Sequence, residues 1–139
     1  MPTAMSEIYV FDTSVLINFM RTQRHGDLAN GVKALIRNSS VVLAELWRGA
    51  SAKTDREAVK WLENSFPILT PTENHWIESG QILARIQISH GLEPKKLRDL
   101  HFDVLIALTV RAHGARLITS NRADFELIRE YREFRLEVW

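Results

Sequence analysis

Ile8, Tyr9, Val10 and Phe11 form an unbroken apolar run that stops at Asp12. A run without polar alternation suits a strand covered on both faces, as in a parallel sheet with helices on either side. Parallel strands cannot be joined by hairpins; each connection is a crossover of about a dozen residues or more, usually helical. The sequence beyond Asp12 has that form. From Ser14 onward, Val15, Leu16, Phe19 and Met20 keep helical spacing, and residues 28–36 continue a helix pair into a second strand near 34–37. Ser39 or Ser40 is suited to cap a helix over 41–52, and Asp55 to cap one over 56–65 with Ala58, Val59 and Leu62 on one face. Residues 67–70 read as a strand, Thr72 and Glu73 open a long amphipathic helix through Ser89, and Gly91 ends it. A loop is expected at 93–96, then a helix over 102–113 with a glycine stop at Gly114. A strand over 116–119, a short helix over 124–130 and a last strand over 134–138 complete the pattern. Strands alternating with helices predict an α/β fold, a three-layer α/β/α sandwich around a central, mainly parallel sheet. Ligands of such sheets bind beyond the carboxyl ends of the strands.

The 139 residues, 45% hydrophobic and 25% charged, suit a single domain over 7–139 behind a disordered tail at 1–6. No stretch approaches the roughly 20 apolar residues that span a bilayer. Residues 1–7 lack the basic and apolar parts of a secretory signal, so a cytoplasmic location is expected. With no Cys, disulfide staples, thiolate zinc sites and thiol catalysis are excluded, and any metal must be held by oxygen or imidazole. Eighteen Lys and Arg against 17 Asp and Glu give a net charge of +1, too little to mark a nucleic-acid binder by itself. Gathering four acids into one site would leave 18 basic against 13 acidic groups elsewhere, an excess of five.

Four acids stand where such a site would form. Asp12 follows the first strand, Glu45 lies about one turn into a helix, Asp103 is read at the head of another, and Asp124 comes just past a strand. Taken one at a time, each reads as a helix cap or a solvated charge. Strand ends and the helix starts that follow them share one edge of a parallel sheet, however, so the four can meet in one crevice. Gathered carboxylates repel, and a protein that holds them together usually does so to bind a hard divalent cation such as Mg²⁺ or Mn²⁺. Metal-assisted phosphodiester hydrolysis is the chemistry that follows.

Four segments carry a family resemblance: Val10-Phe11-Asp12-Thr13-Ser14-Val15-Leu16-Ile17; Ser40-Val41-Val42-Leu43-Ala44-Glu45-Leu46-Trp47-Arg48-Gly49-Ala50; Asp103-Val104-Leu105-Ile106-Ala107; and, after Gly114, Leu117-Ile118-Thr119-Ser120-Asn121-Arg122-Ala123-Asp124-Phe125. In this order and spacing the chain resembles the PIN-domain ribonucleases, and among them the VapC-type toxins of type II toxin–antitoxin pairs. The last segment, following Asp103, is the most specific. The resemblance implies a PIN-like fold and a Mg²⁺-dependent endoribonuclease, with Mn²⁺ as a substitute ion. It implies Asp12 and Asp103 as inner ligands of one ion, and Asp124 as holding a second ion or binding the first through water. Glu45 would orient the attacking water or bind the second ion, and Ser14, Thr119 and Asn121 would hold the ligands and waters in place. It further implies an RNA substrate such as a tRNA or ribosomal RNA loop, a homodimer, and a small VapB-like antitoxin in a heterotetramer or larger assembly.

Other residues are read more plainly. Asp99 is a cap or a neighbour of Asp103 outside the family pattern. The His residues at 25, 75, 90, 101 and 113 lack the i, i+4 pairing of a helical zinc site and read as structural or surface groups. Trp47, Trp61, Trp76 and Trp139 read as core or interface residues, core packing favoured, rather than as base-stacking platforms. Lys95, Lys96 and Arg98 read as a solvated loop, whereas Arg48 and Arg122, flanking Glu45 and Asp124, are the candidates for phosphate contact. A phosphatase of the haloacid dehalogenase type also begins with a hydrophobic strand ending in Asp, but it needs a second acid two residues on, where this chain has Ser14. A phosphoacceptor receiver needs more acids near the first strand than Glu7 and Asp12. A non-toxin PIN nuclease of RNA processing and an inactive Mg²⁺-binding PIN-like module are the remaining alternatives.

Overall fold

The computed structural model describes residues 6–22 and 33–139. Its strands are β1 (Glu7–Phe11), β2 (Ala34–Ser39), β3 (Ile68–Leu69), β4 (Arg116–Thr119) and β5 (Arg135–Val138). Its helices are α1 (Thr13–Thr22), α2 (Ser40–Arg48), α3 (Lys53–Ser65), α4 (Glu73–His90), α5 (Pro94–Ala112) and α6 (Arg122–Arg129). The expected tail at 1–6, apart from Ser6, and the expected helix beginning at Leu28 lie outside the described residues.

Every strand pairing is parallel, in the order β3-β2-β1-β4-β5. The apolar run of β1 is therefore central: Ile8 lies beside Leu35 on one flank, and Val10, only 1% exposed, beside Leu117 on the other. From β1 the chain steps outward through β2 and β3, returns across the sheet, and steps outward the other way through β4 and β5. Right-handed crossovers running in opposite directions place their helices on opposite faces. The packing agrees: α2 lies against both α1 and α3, while α5 lies against both α4 and α6. α2 and α5 also meet each other. The second layer is anchored by α5, where Leu100, Val104, Leu105, Ile106, Leu108 and Val110 are each at most 4% exposed. No helix among the described residues is long and apolar enough to cross a membrane.

Local signals set most element ends, and where the structure departs from them the cause is specific. The Ser39 side chain accepts a hydrogen bond from the Val42 amide at 3.3 Å, as an N-cap does, but α2 ends at Arg48 and not at Ala52. Gly49 follows and donates its amide back to the Glu45 carbonyl at 3.2 Å. Asp55 is not the cap of α3: it is the third helical residue, and its carboxylate accepts from the amide of the true N-cap, Ala52, at 3.4 Å. The strand expected over 67–70 shortens to Ile68–Leu69. The loop expected at 93–96 is instead the first turn of α5, with Pro94 at its start. A proline there loses no hydrogen bond, because first-turn amides have no helical partner. Asp103 consequently lies in the middle of a 19-residue helix and not at its head.

Core packing, the reading favoured for the tryptophans, holds for only one of the four. Trp47, Trp61 and Trp76 are 37%, 59% and 53% exposed, each on the flank of its helix's apolar stripe. Trp139 is the one that packs inward, its ring 5.5 Å from that of Phe11.

The start of α4 is held reciprocally: Thr72 Oγ1 accepts from the His75 amide at 3.2 Å, and His75 Nδ1 accepts from the Thr72 amide at 3.0 Å. Its end uses Gly91 at φ +60°, a conformation that costs other residues dearly. Thr72→Val, which removes only the accepting hydroxyl, is expected to cost about 1 kcal/mol. Urea titration would read this as a lower midpoint with an unchanged slope.

Candidate functional site

The strand order reverses direction between β1 and β4, and in open α/β sheets the crevice beyond the carboxyl ends at that point is the binding place. Asp12 is the first residue beyond β1. Its amide donates to the Ile118 carbonyl at 2.8 Å, and its carbonyl accepts from the Val15 and Leu16 amides, so it both extends the sheet and starts α1. The side chain is 5% exposed. Its Oδ2 accepts from Thr119 Oγ1 at 2.8 Å and Ser14 Oγ at 3.0 Å. Burial raises the Asp12 carboxyl above the usual range, and these hydrogen bonds partly offset the rise.

Three more acids come into this crevice from different elements. Glu45 projects from α2 and accepts from Thr13 Oγ1 at 3.1 Å. Burial raises its carboxyl and the charge of Asp12 adds to that, while the Thr13 hydrogen bond and Arg48 act the other way. Asp103, from the middle of α5, is half-buried and pushed up to about 8. Burial is the largest cause, followed by repulsion from Asp12, Glu45 and Asp124, with Lys96 opposing. Asp103 thus feels all three other acids at once. Asp124, the third residue of α6, is gripped by Lys96 Nζ at 2.7 and 2.8 Å from its two oxygens and by Asn121 Nδ2 at 3.1 Å.

Hydroxyls tie the two loops of the crevice together. Ser14 Oγ accepts from the Ser120 amide at 3.1 Å, and Thr119 Oγ1 accepts from the Asn121 amide at 2.9 Å. The loop after β4 is in this way pinned to the start of α1, with Ser14 and Thr119 holding Asp12 and Asn121 holding Asp124.

The remaining candidates sort differently. Arg48 and Arg122 are exposed, Arg48 with its guanidinium 5.6 Å from the centre of the Phe102 ring. Asp99 pairs with Lys95 at 3.3 Å on the surface, although its charge reaches Glu45. His75 serves the cap of α4, and His101 Nε2 lies 2.9 Å from the buried Ser79 hydroxyl; His25 is outside the described residues. Sequence reasoning missed three participants. Thr13 holds Glu45, and its place between Asp12 and Ser14 was the available signal. Lys96 belongs to the first turn of α5 and not to a solvated loop, and it reaches Asp124. Ser120 has a buried hydroxyl with no hydrogen-bond partner among the described residues.

As the side chains stand, no three His, Asp or Glu among the described residues form a set that could hold a metal ion. Three of the four acids face a nearby partner instead: Asp12 its two hydroxyls, Glu45 Thr13, and Asp124 Lys96. In chemistry the donors nevertheless fit a hard cation. They are all carboxylates, and the repulsion that raises Asp103 is the kind that a bound cation relieves.

Three solved complexes share the fold. VapBC2 from Rickettsia felis, bound to a DNA fragment from their promoter, is 24% identical with a TM-score of 0.70, over 95% of this chain and 98% of that one. VapBC-1 from nontypeable Haemophilus influenzae is 23% identical with a TM-score of 0.69, over 95% and 98%. DNA-bound VapBC from Salmonella typhimurium is 22% identical with a TM-score of 0.68, over 97% and 99%. No curated protein sequence matches this chain significantly. Residues 9–131 match the model of the PIN domain, and the protein belongs to the PIN domain family.

Proposed function

We propose that this protein is a Mg²⁺-dependent endoribonuclease and the toxin of a toxin–antitoxin pair, hydrolysing RNA phosphodiester bonds in the cytoplasm at the site of Asp12, Glu45, Asp103 and Asp124. The observation that carries the reading is Asp103, a half-buried carboxyl raised to about 8 by burial and by three other acids beyond the carboxyl ends of the strands. PIN domains are nucleases, and the structural neighbours named above are toxin–antitoxin complexes, which supports both halves of the proposal.

Asp12 and Asp103 would hold the ion, with Asp124 and Glu45 completing the oxygen set and Mn²⁺ serving as a substitute. Such an ion, when bound, lowers the pKa of water and stabilises charge on the phosphate. The chain's own residues do the rest. Ser14 and Thr119 fix the orientation of Asp12, and Asn121 that of Asp124. Glu45, steered by Thr13 and raised by burial, is suited to accept a proton from the attacking water. Arg48 and Arg122, exposed beside Glu45 and Asp124, would contact flanking phosphates. A single-stranded loop, as in tRNA or ribosomal RNA, exposes the backbone that such a crevice needs.

The partner follows from the same charges. A VapB-like antitoxin would insert an Arg among Asp12, Glu45 and Asp103 and lay an apolar segment over the neighbouring helices. The apolar cleft of about 120 Å³ bordered by Val15, Phe19, Ile36, Trp61 and Phe66 has room for one apolar side chain of such a segment. A homodimer joined to antitoxins would give a heterotetramer or a larger assembly.

The test has two parts. Purified protein with Mg²⁺ should cleave a stem-loop RNA and lose that activity in EDTA. Expression alone should arrest growth, and co-expression with the product of the adjacent small gene should relieve the arrest. RNA that stays intact in Mg²⁺ and Mn²⁺ would overturn the nuclease. Cleavage without growth arrest would overturn only the toxin role.

A further inference from the structure

We propose that Lys96 is the resident cation of the acidic site and competes with a divalent ion for Asp124, so that this one side chain sets how tightly the protein holds metal. The inference rests on the metal-site reading above. Lys96 Nζ lies 2.7 and 2.8 Å from the two oxygens of Asp124, 28 residues away in sequence. With Asn121 Nδ2 at 3.1 Å as well, both oxygens of Asp124 are engaged. An ion that takes this carboxylate as a ligand must share it with the ammonium at close range or displace it, and repulsion between the two cations favours displacement.

The neighbouring lysine shows the contrast. Lys95 makes an ordinary i, i+4 pair with Asp99 at 3.3 Å, with side chains 82% and 60% exposed. Such pairs contribute little. The Lys96 contact is shorter, joins α5 to α6, and ends on a carboxylate whose side chain is only 19% exposed. Asp103 lies seven residues beyond Lys96, two turns along the same face of α5, so the lysine stands on the helix side that carries the central acid. A single positive charge on a flexible stem balances only part of four carboxylates, whereas a divalent ion balances more. Lys96 therefore acts as an exchangeable placeholder: it holds Asp124 in the ion-free protein and yields to the stronger cation.

A lysine that merely tied α5 to α6 would, when removed, leave metal binding unchanged or weaken it. Competition predicts the opposite sign. Mn²⁺ titration calorimetry on the full chain should show Lys96→Met binding about tenfold more tightly than the wild type. Lys96→Arg, which keeps the charge, should stay near the wild type. Without metal, Lys96→Met should melt below the wild type, and the gap should close at saturating Mn²⁺. If Lys96→Met does not fold, Lys96→Gln carries the same comparison. Unchanged or weaker Mn²⁺ binding in the charge-removed variant, beside a wild type that binds, overturns the inference and leaves the metal site standing. Mn²⁺ binding to neither the wild type nor any variant overturns the metal site itself, and this inference with it.

Discussion

Asp12→Asn should leave a folded protein that has lost RNA cleavage by about a thousandfold or more, the scale set by losing several kcal/mol of charge stabilisation. The substitution keeps the volume of a side chain that is 5% exposed. The amide oxygen can still accept from Ser14 and Thr119, so the pinning of the β4–α6 loop survives. What disappears is the negative charge. Because burial raises the Asp12 carboxyl, the ionised form is a burden on the metal-free fold, and the neutral amide should melt no lower than the wild type without metal. The rise in melting temperature on adding Mg²⁺ or Mn²⁺ should shrink in the variant. Circular dichroism, thermal melts and a gel assay of RNA cleavage together check these outcomes. Cleavage at the wild-type rate by the folded variant would remove Asp12 from the mechanism.

The second large effect is in stability against pH. Asp103 has an ordinary carboxyl value of 3.8 when unfolded and one of about 8 when folded without metal. A folded value above the unfolded one means that the native state keeps its proton longer. The contribution is fully present below about pH 4 and is lost as pH rises through about 8. Asp12 and Glu45 are raised as well and act in the same direction. Glu7 acts in the other: its hydrogen bond to Arg135 lowers its carboxyl, so its contribution is present above the usual 4.5 and lost as pH falls. The informative window therefore lies between pH 5 and 8, where metal-free protein should melt at progressively lower temperature. Asp103→Asn should flatten that slope and melt higher than the wild type at pH 8, on the order of 5 °C. Saturating Mg²⁺ should restore the wild type there, because the ion favours the ionised form. A wild-type melting temperature that stays level from pH 5 to 8, in the absence of metal, would contradict this electrostatic picture of the site.

Local chemistry explains what was legible beforehand. The apolar run at 8–11, rich in strand formers and closed by Asp12, has the pattern of a covered strand, and Thr72 and Gly91 bracket a helix by backbone rules that need no tertiary partner. The α/β alternation and the parallel sheet followed from these periodicities, and the approach of Asp12, Glu45, Asp103 and Asp124 followed from the geometry of such a sheet. Each of these signals acts over a few residues, or is a consequence of topology.

What the tertiary structure alone decided involves partners distant in sequence. Pro94 reads equally as a loop residue or as the first residue of a helix, and burial of the segment from Leu100 onward under the sheet selects the longer helix. That choice moves Asp103 from a helix head to a helix middle and carries Lys96 onto Asp124. The Thr13 to Glu45 hydrogen bond spans 32 residues, and the one between Thr119 and Asp12 spans 107. The outward positions of Trp47, Trp61 and Trp76 depend on where each helix meets its neighbours, which periodicity resolves only to within one flank of the stripe. Residue type and spacing determined which acids face the end of the sheet; packing between segments determined which hydroxyl or lysine each of them meets, because a hydrogen bond is decided within about 3 Å and no local preference extends across a fold.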